Sequence, residues 1–337
     1  MGEFSMTLID TFGRVHRDLR VSLTDRCSLR CTYCMPSDFK SWMPTEELLS
    51  ADEMIRVIEV GVNLGIEEVR LTGGEPLLRP DIVEIIERIK NLNPSPEISL
   101  TTNGVGLSKY AVALASAGLT RINISLDTLD WTRFRKLTFR DRFEDVIEGI
   151  ASAQQAGLNP IKINTVLMRG INDDESVALV EWAMNKNLQL RFIEQMPLDA
   201  GNTWQQSEMI TADQIMKDLS QSFELTPVGT RGSAPAEEFL INGGPHTVGI
   251  IASVSKPFCG SCDRLRLTSV GQLRSCLFAT EETDLRKVLR DTKLSELDRT
   301  SKLQAAFQDS VRGKLKGHSI NQIDFKKPDR PMSAIGG

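Results

Sequence analysis

Cys27, Cys31 and Cys34 lie in the stretch from Asp25 to Pro36, so half of the chain's six cysteines fall inside eight residues. A C-x3-C-x2-C loop can wrap three thiolates around one face of an iron–sulfur cluster, whereas a closed structural zinc site needs four ligands. Three thiolates leave one iron open, and a small chelating molecule can occupy that iron and take an electron from the cluster. That is an arrangement for catalysis. The alternatives are a zinc loop completed by a distant ligand, or reduced structural thiols. Cys259-Gly260-Ser261-Cys262 and Cys276 form a second triplet, C-x2-C-x13-C, again one ligand short of a zinc quartet. A zinc ribbon would show a second C-x2-C pair, and His246 and His318 are not at finger spacing. A second 4Fe–4S cluster with an open iron fits better, to bind substrate, supply an electron, or both.

Other residues offer chemistry only in company. Thr72-Gly73-Gly74-Glu75-Pro76 ends a predicted strand, where two glycines let the backbone approach a ligand; alone, it is a turn. Ser125 and Met196 stand at or just beyond strand ends and would face the same mouth, though a serine there commonly caps and a methionine commonly packs. Arg264-Leu265-Arg266-Leu267 puts two arginines on one face of a predicted strand, a pattern that a solvated edge strand also shows.

The elements that must position these residues are βα units. Strands are expected at Leu19 to Leu23, Glu68 to Thr72, Glu97 to Thr101, Arg121 to Leu126, Ile161 to Leu167 and Gln189 to Glu194, each followed by a helix-like stretch. Ser50-Ala51-Asp52-Glu53 reads as a capping box, Gly65 as a stop, Pro80 as a first helical residue, and Thr211 as the cap of a helix reaching Leu219. Six such units predict an open or closed barrel with its active site at the carboxyl ends of the strands. After Met196 the alternation ends, and Pro227 to Pro235 reads as a bridge to a second module of hairpins (Glu238 to Ile241 with Thr247 to Val254, and Arg264 to Thr268 with Leu273 to Cys276). Helices are expected near Glu282 to Arg290 and Ser301 to Lys314.

Composition bounds the rest. With 337 residues, 40% hydrophobic and 25% charged, the chain should bury a full core, and a net charge of −5 argues against a general nucleic-acid or membrane-surface binder. The sequence starts without a basic, then apolar, leader and contains no apolar run of membrane-spanning length, which predicts a cytoplasmic protein. Gly2-Glu3-Phe4 within residues 1–5 reads as a tag remnant, with natural sequence resuming near Met6. In a reducing compartment, two sets of three cysteines are ligands or reactive thiols before they are disulfides.

With Tyr33 between two of its cysteines, the first loop resembles the C-x3-C-x-aromatic-C signature of the radical S-adenosylmethionine (SAM) superfamily, and Gly73-Gly74-Glu75-Pro76 resembles its GGEP element. Phe258 to Cys276, the RLRL segment and the terminal Gly336-Gly337 are similar to those of the GTP 3',8-cyclase (molybdenum cofactor biosynthesis protein A) family, a resemblance running from about Arg14 to Gly337. It implies an α/β fold: an incomplete (βα)6 radical SAM, TIM-like barrel over residues 14–226, with a C-terminal module over 227–337 carrying a second cluster and the Gly-Gly tail. Cys27, Cys31 and Cys34 would hold one 4Fe–4S cluster and Cys259, Cys262 and Cys276 the other, with Tyr33, Gly74, Ser125 and Met196 on SAM.

GTP contacts carry over to Arg20, Arg70, Thr101, Lys162, Arg191, Arg264, Leu265 and Arg266, and catalytic roles to Arg264, Arg266, Gly336 and Gly337. Arg20, Arg70, Lys162 and Arg191 lie on four different predicted strands; cations pooled in a barrel interior repel one another unless an anion such as a triphosphate joins them. The implied reaction is that of a lyase. A 5'-deoxyadenosyl radical takes hydrogen from C3' of GTP and the ring closes to C8, giving (8S)-3',8-cyclo-7,8-dihydroguanosine 5'-triphosphate. Implied partners are an electron donor and a downstream cyclic pyranopterin monophosphate synthase, with no nucleic acid and no membrane, for a monomer or homodimer. One alternative is a radical SAM peptide-modifying enzyme with a fully ligated auxiliary cluster; another is a zinc-dependent scaffold without catalysis.

Overall fold

The computed structural model describes residues 7–199, 201, 203–322 and 325–336. Six strands run parallel and in sequence order: β1 (Asp18–Ser22), β2 (Glu68–Thr72), β3 (Glu97–Thr102), β4 (Arg121–Ser125), β5 (Ile161–Val166) and β6 (Gln189–Ile193). Each lies within one residue of its predicted ends. Their sequences alternate because one face meets the helices and the other the barrel interior. Val69, Leu71, Ile98, Leu100, Ile122, Ile124 and Ile163 are wholly or almost wholly buried in the continuous core.

Local chemistry sets the helix starts. The Ser50 side chain accepts from the Glu53 N–H at 3.1 Å while the Glu53 carboxylate accepts from the Ser50 N–H at 2.8 Å, closing the expected capping box before helix Ala51–Asn63. Thr211 and Gln214 close a second one before Ala212–Leu219. Pro80 is not the first helical residue. It precedes helix Ile82–Lys90, whose N-cap is Asp81, and Arg79 holds the Asp81 carboxylate with two bonds of 2.5 and 3.0 Å.

Beyond the sixth unit the chain extends the sheet at both edges. β7 (Leu225–Pro227), β8 (Glu237–Ile241) and β9 (Thr247–Ile251) form an antiparallel run, and β9 joins β6 in parallel. β10 (Arg264–Leu267) crosses to the opposite edge to pair in parallel with β1, followed by antiparallel β11 (Gln272–Arg274) and β12 (Thr283–Asp284). One 12-stranded sheet results, and it runs without a break across residue 227. Both predicted hairpins are present. The stretch expected as a helix from Glu282 starts instead with β12, and helix Leu285–Leu289 begins where Asp284 caps the Lys287 N–H. The last long helix starts earlier than expected, at Glu296, because Ser295 caps it, and it ends at Arg312. Among the described residues, no helix is long and apolar enough to cross a membrane.

Candidate active site

A cavity of about 330 Å³ is lined by the carboxyl ends of the barrel strands and by all six cysteines. Every thiol is free and half-buried. In the first loop the Cys34 and Met35 N–H groups both donate to the Cys31 carbonyl, at 2.9 and 3.0 Å, a turn that presents the triplet to the cavity. Burial pushes the Cys27 thiol up to about 11, the Cys34 thiol to about 12, and Cys31 well above its ordinary range. These sulfurs ionise readily only when a metal replaces their protons. Cys262 differs: burial raises its pKa, but Arg264 and Lys314 outweigh that and bring it down to about 7. Two sets of three thiols lining one cavity suit iron–sulfur ligation.

The two-glycine element locks onto the first loop. Gly73 has φ of +149°, and a side chain there would place its Cβ 2.5 Å from the Thr24 carbonyl oxygen; at Gly74 it would strike the carbonyl oxygens of Asp25 and Arg26. Without side chains, the Gly74 N–H donates to Thr24 and the Glu75 N–H to Arg26, each at 2.7 Å. The Glu75 carboxylate is buried and accepts from Thr102 Oγ1 (2.6 Å), the Asn103 N–H (2.7 Å) and the Leu77 N–H (3.0 Å), tying the β2 end to the β3 end. Burial still raises its pKa to about 7, against those bonds. Asn103 in turn donates to Cys27 Sγ at 3.5 Å. Tyr33 donates to Asp127 at 2.8 Å, and Asp127 also accepts from the Val166 N–H at 2.9 Å, so the aromatic residue of the cysteine loop is anchored to the ends of β4 and β5.

Cations line the same cavity. The strand register places Arg266, Arg20 and Arg70 side by side in one row across β10, β1 and β2, and Arg191 lines the same cavity from β6. Arg20 Nε, Arg70 Nε, Arg191 Nε and both Nε and Nη2 of Arg264 are buried without a hydrogen-bond partner. Burial and then Arg266 pull the Arg20 pKa well below the guanidinium range; burial and Arg264 bring Arg266 to about 10. At Arg70 burial is outweighed by Asp18 and Glu68, the latter paired with it at 2.6 Å. The wall therefore presents crowded guanidinium groups with donors to spare, the preparation expected for a polyanion.

Residues 21–183 match the family model described as the Radical SAM superfamily, and residues 188–320 match Molybdenum Cofactor Synthesis C. The chain is 56% identical to the GTP 3',8-cyclase of Streptomyces coelicolor, over 99% of this chain and 98% of that protein. The chain belongs to the GTP 3',8-cyclase family of radical SAM enzymes. It is also 51% identical to GTP 3',8-cyclase 2 of Mycobacterium tuberculosis (strain ATCC 25618 / H37Rv), over 98% of this chain and 92% of that one. The crystal structure of Streptococcus suis SuiB superposes with a TM-score of 0.62 at 14% identity, covering 95% of this chain and 77% of that one, a likeness of fold alone.

For this member of the GTP 3',8-cyclase family, most of the expected site residues meet in the cavity: the six cysteines, Tyr33, Gly74, Ser125, Met196, Arg20, Arg70, Thr101, Arg191, Arg264 and Arg266. Lys162 does not line it. On β5 it shares the interior face with Asn164 and Val166, which do line the cavity, but it stands one step nearer the strand's start, where burial and Arg191 lower its pKa to about 8. Leu265 points its side chain into the hydrophobic core, as alternation requires between two inward arginines. Gly336 reaches the site: its carbonyl accepts from Arg266, and with φ of +85° a Cβ there would lie 3.0 Å from both Ser22 and Thr72. Gly337 and the residues before Thr7 lie outside the described residues. Asn103, Asp127 and Asn164 were not anticipated. Asp127 and Asn164 each stand two positions beyond a residue that was singled out, on the same side of the chain, and that spacing was the available signal.

Proposed function

We propose that this chain converts GTP to (8S)-3',8-cyclo-7,8-dihydroguanosine 5'-triphosphate, using SAM and two 4Fe–4S clusters, as the first step of molybdenum cofactor biosynthesis. The observation that carries the reading is the set of buried, under-partnered arginines in the cavity that also holds both cysteine triplets. A triphosphate supplies the negative charge and bidentate acceptors these groups need; a neutral or cationic substrate does not.

Cys27, Cys31 and Cys34 would hold a 4Fe–4S cluster, which would supply the electron for reductive cleavage of SAM. The chain's own part is to position and to exclude water. Gly74 leaves its backbone open to the methionine end of SAM, while Tyr33, fixed by Asp127, and Ser125 and Met196 bound the rest of SAM's site. Arg20, Arg70, Arg191, Arg264 and Arg266, with Thr101, hold GTP so that its C3' hydrogen faces the radical, because a primary carbon radical abstracts from whichever C–H stands nearest. Cys259, Cys262 and Cys276 would hold the second cluster, which would meet the guanine base. Arg266 also fixes the Gly336 carbonyl, keeping the tail against the reacting ring. Under this reading the partners would be an electron donor for the clusters and a cyclic pyranopterin monophosphate synthase that takes the product in the cytoplasm, with the chain a monomer or homodimer.

The test is anaerobic incubation of cluster-reconstituted protein with SAM and a strong reductant, with GTP, ATP or no nucleotide in parallel. Mass spectrometry should find 5'-deoxyadenosine and an isomer of the nucleotide only with GTP. Deoxyadenosine with no GTP-derived product would retain radical SAM chemistry and reject the substrate.

A further inference from the structure

Lys314 stands two residues past the end of helix Glu296–Arg312 and is almost fully buried, at 4% exposure. Its Nζ donates to the Arg264 carbonyl at 2.7 Å and to Cys262 Sγ at 3.5 Å. Among the described residues no carboxylate pairs with it; burial lowers its pKa, negative charge on Cys262 and Cys276 would favour its ammonium form, and Arg14 and Arg264 oppose it. An ammonium group taken out of water without a compensating anion is strongly disfavoured, so this lysine needs charge from the second triplet. A shell from the chain's start surrounds the same place. Arg14 donates to the Cys259 carbonyl at 2.7 Å and to the Leu315 carbonyl at 2.8 Å, and is itself held by Asp10 at 2.5 Å. His16 bonds the same Asp10 carboxylate at 3.1 Å. Asp10 also accepts from the Phe12 and Arg14 N–H groups, so its carboxylate is fully engaged by groups other than Lys314.

We infer that Lys314 is a positioning residue for the second cluster: its ammonium donates a charge-assisted N–H···S hydrogen bond to Cys262 and holds that cluster's reduction potential up. The inference rests on the reading that Cys259, Cys262 and Cys276 hold a 4Fe–4S cluster. Reduction adds one electron to a buried group, and a fixed cation beside a ligating sulfur stabilises the reduced form more than the oxidised one. Net charge and hydrogen bonds to sulfur are the levers by which a protein sets such potentials.

The experiment is a potentiometric titration with dithionite as electron source, followed by electron paramagnetic resonance, on the reconstituted full chain. It compares wild type, Lys314→Met, Lys314→Arg and the triple variant Cys259→Ala/Cys262→Ala/Cys276→Ala. The triple variant should lose the iron of one cluster, and its difference from wild type defines the second-cluster signal. If it keeps all its iron, the two-cluster reading fails, whatever Lys314 does. Given that signal, Lys314→Met should move its midpoint to more negative values by at least a tenfold change in the one-electron equilibrium, about 59 mV, with Lys314→Arg close to wild type. An unchanged midpoint in Lys314→Met overturns the inference. Wild-type protein grown with lysine carrying the heavy nitrogen isotope at Nζ gives a second readout that needs no variant, and it decides the matter if Lys314→Met fails to retain its cluster. Pulsed resonance on the reduced second cluster should show a hyperfine coupling to that nitrogen, and its absence overturns the hydrogen bond.

Discussion

At Arg191 burial and the neighbouring Arg70 both work against the positive charge, bringing the guanidinium pKa to about 10, and the Glu238 carboxylate is 3.7 Å away. Such a group gains more from an arriving phosphate than a solvated arginine would. A hydrogen bond to a charged group contributes about 1.5–3 kcal/mol, so Arg191→Ala should weaken GTP binding by about tenfold to a hundredfold while leaving SAM binding unchanged. Anaerobic equilibrium binding of each ligand checks this, and equal loss of both would point to a damaged fold instead of a lost phosphate contact. What was legible at this scale was whatever spacing alone encodes. The cysteine triplets are defined by local intervals, so the sequence exposes them. Depth along a strand is not local: Lys162 and Asn164 share one face of β5, and only the assembled barrel decides that Asn164 reaches the cavity and Lys162 stops below it.

Among the elements, the turn after β2 leaves no room for a side chain. A Cβ on Gly74 would meet two carbonyl oxygens of the backbone leading into the cysteine loop, and neither is a flexible side chain that can swing aside. Gly74→Ala should therefore cost about 1–3 kcal/mol of stability through overpacking and displace the loop enough to abolish SAM cleavage. Denaturation of the metal-free chain and deoxyadenosine formation by the reconstituted one are the two measurements; retention of both at wild-type level would contradict the close packing. The six barrel strands and the Ser50 and Thr211 caps could be read beforehand because alternation and capping are decided by near neighbours. The place of β10 could not. Its RLRL pattern announces a strand, but nothing within it says that it pairs with β1, at the far end of the chain, and so sets Arg266 beside Arg20.

At the scale of the whole molecule, the chain's start is bound to its end around the second triplet, and a buried histidine lies in that junction. Burial first, and then Lys314, depress the His16 pKa from 6.5 to about 4. The unfolded chain takes up this proton as pH falls through 6.5, whereas the folded chain resists until about 4, so stability falls on acidification across that window. For His16 alone the cost between pH 7 and pH 5 is about 2 kcal/mol. His16→Gln, which keeps a donor for Asp10, should flatten that part of the stability profile of the metal-free chain; an unaltered slope would mean that His16 is not held neutral.

The proposed reaction requires the barrel to place C3' of GTP against the radical site. Its most direct measurement uses GTP carrying deuterium at C3', incubated anaerobically with the reconstituted chain, SAM and reductant, with mass analysis of the 5'-deoxyadenosine formed. The arginine wall and the two triplets predict deuterium in the deoxyadenosine from this substrate, and none from GTP deuterated at C2' or C5'. Unlabelled deoxyadenosine from C3'-deuterated GTP, while the cyclic product accumulates, would contradict it.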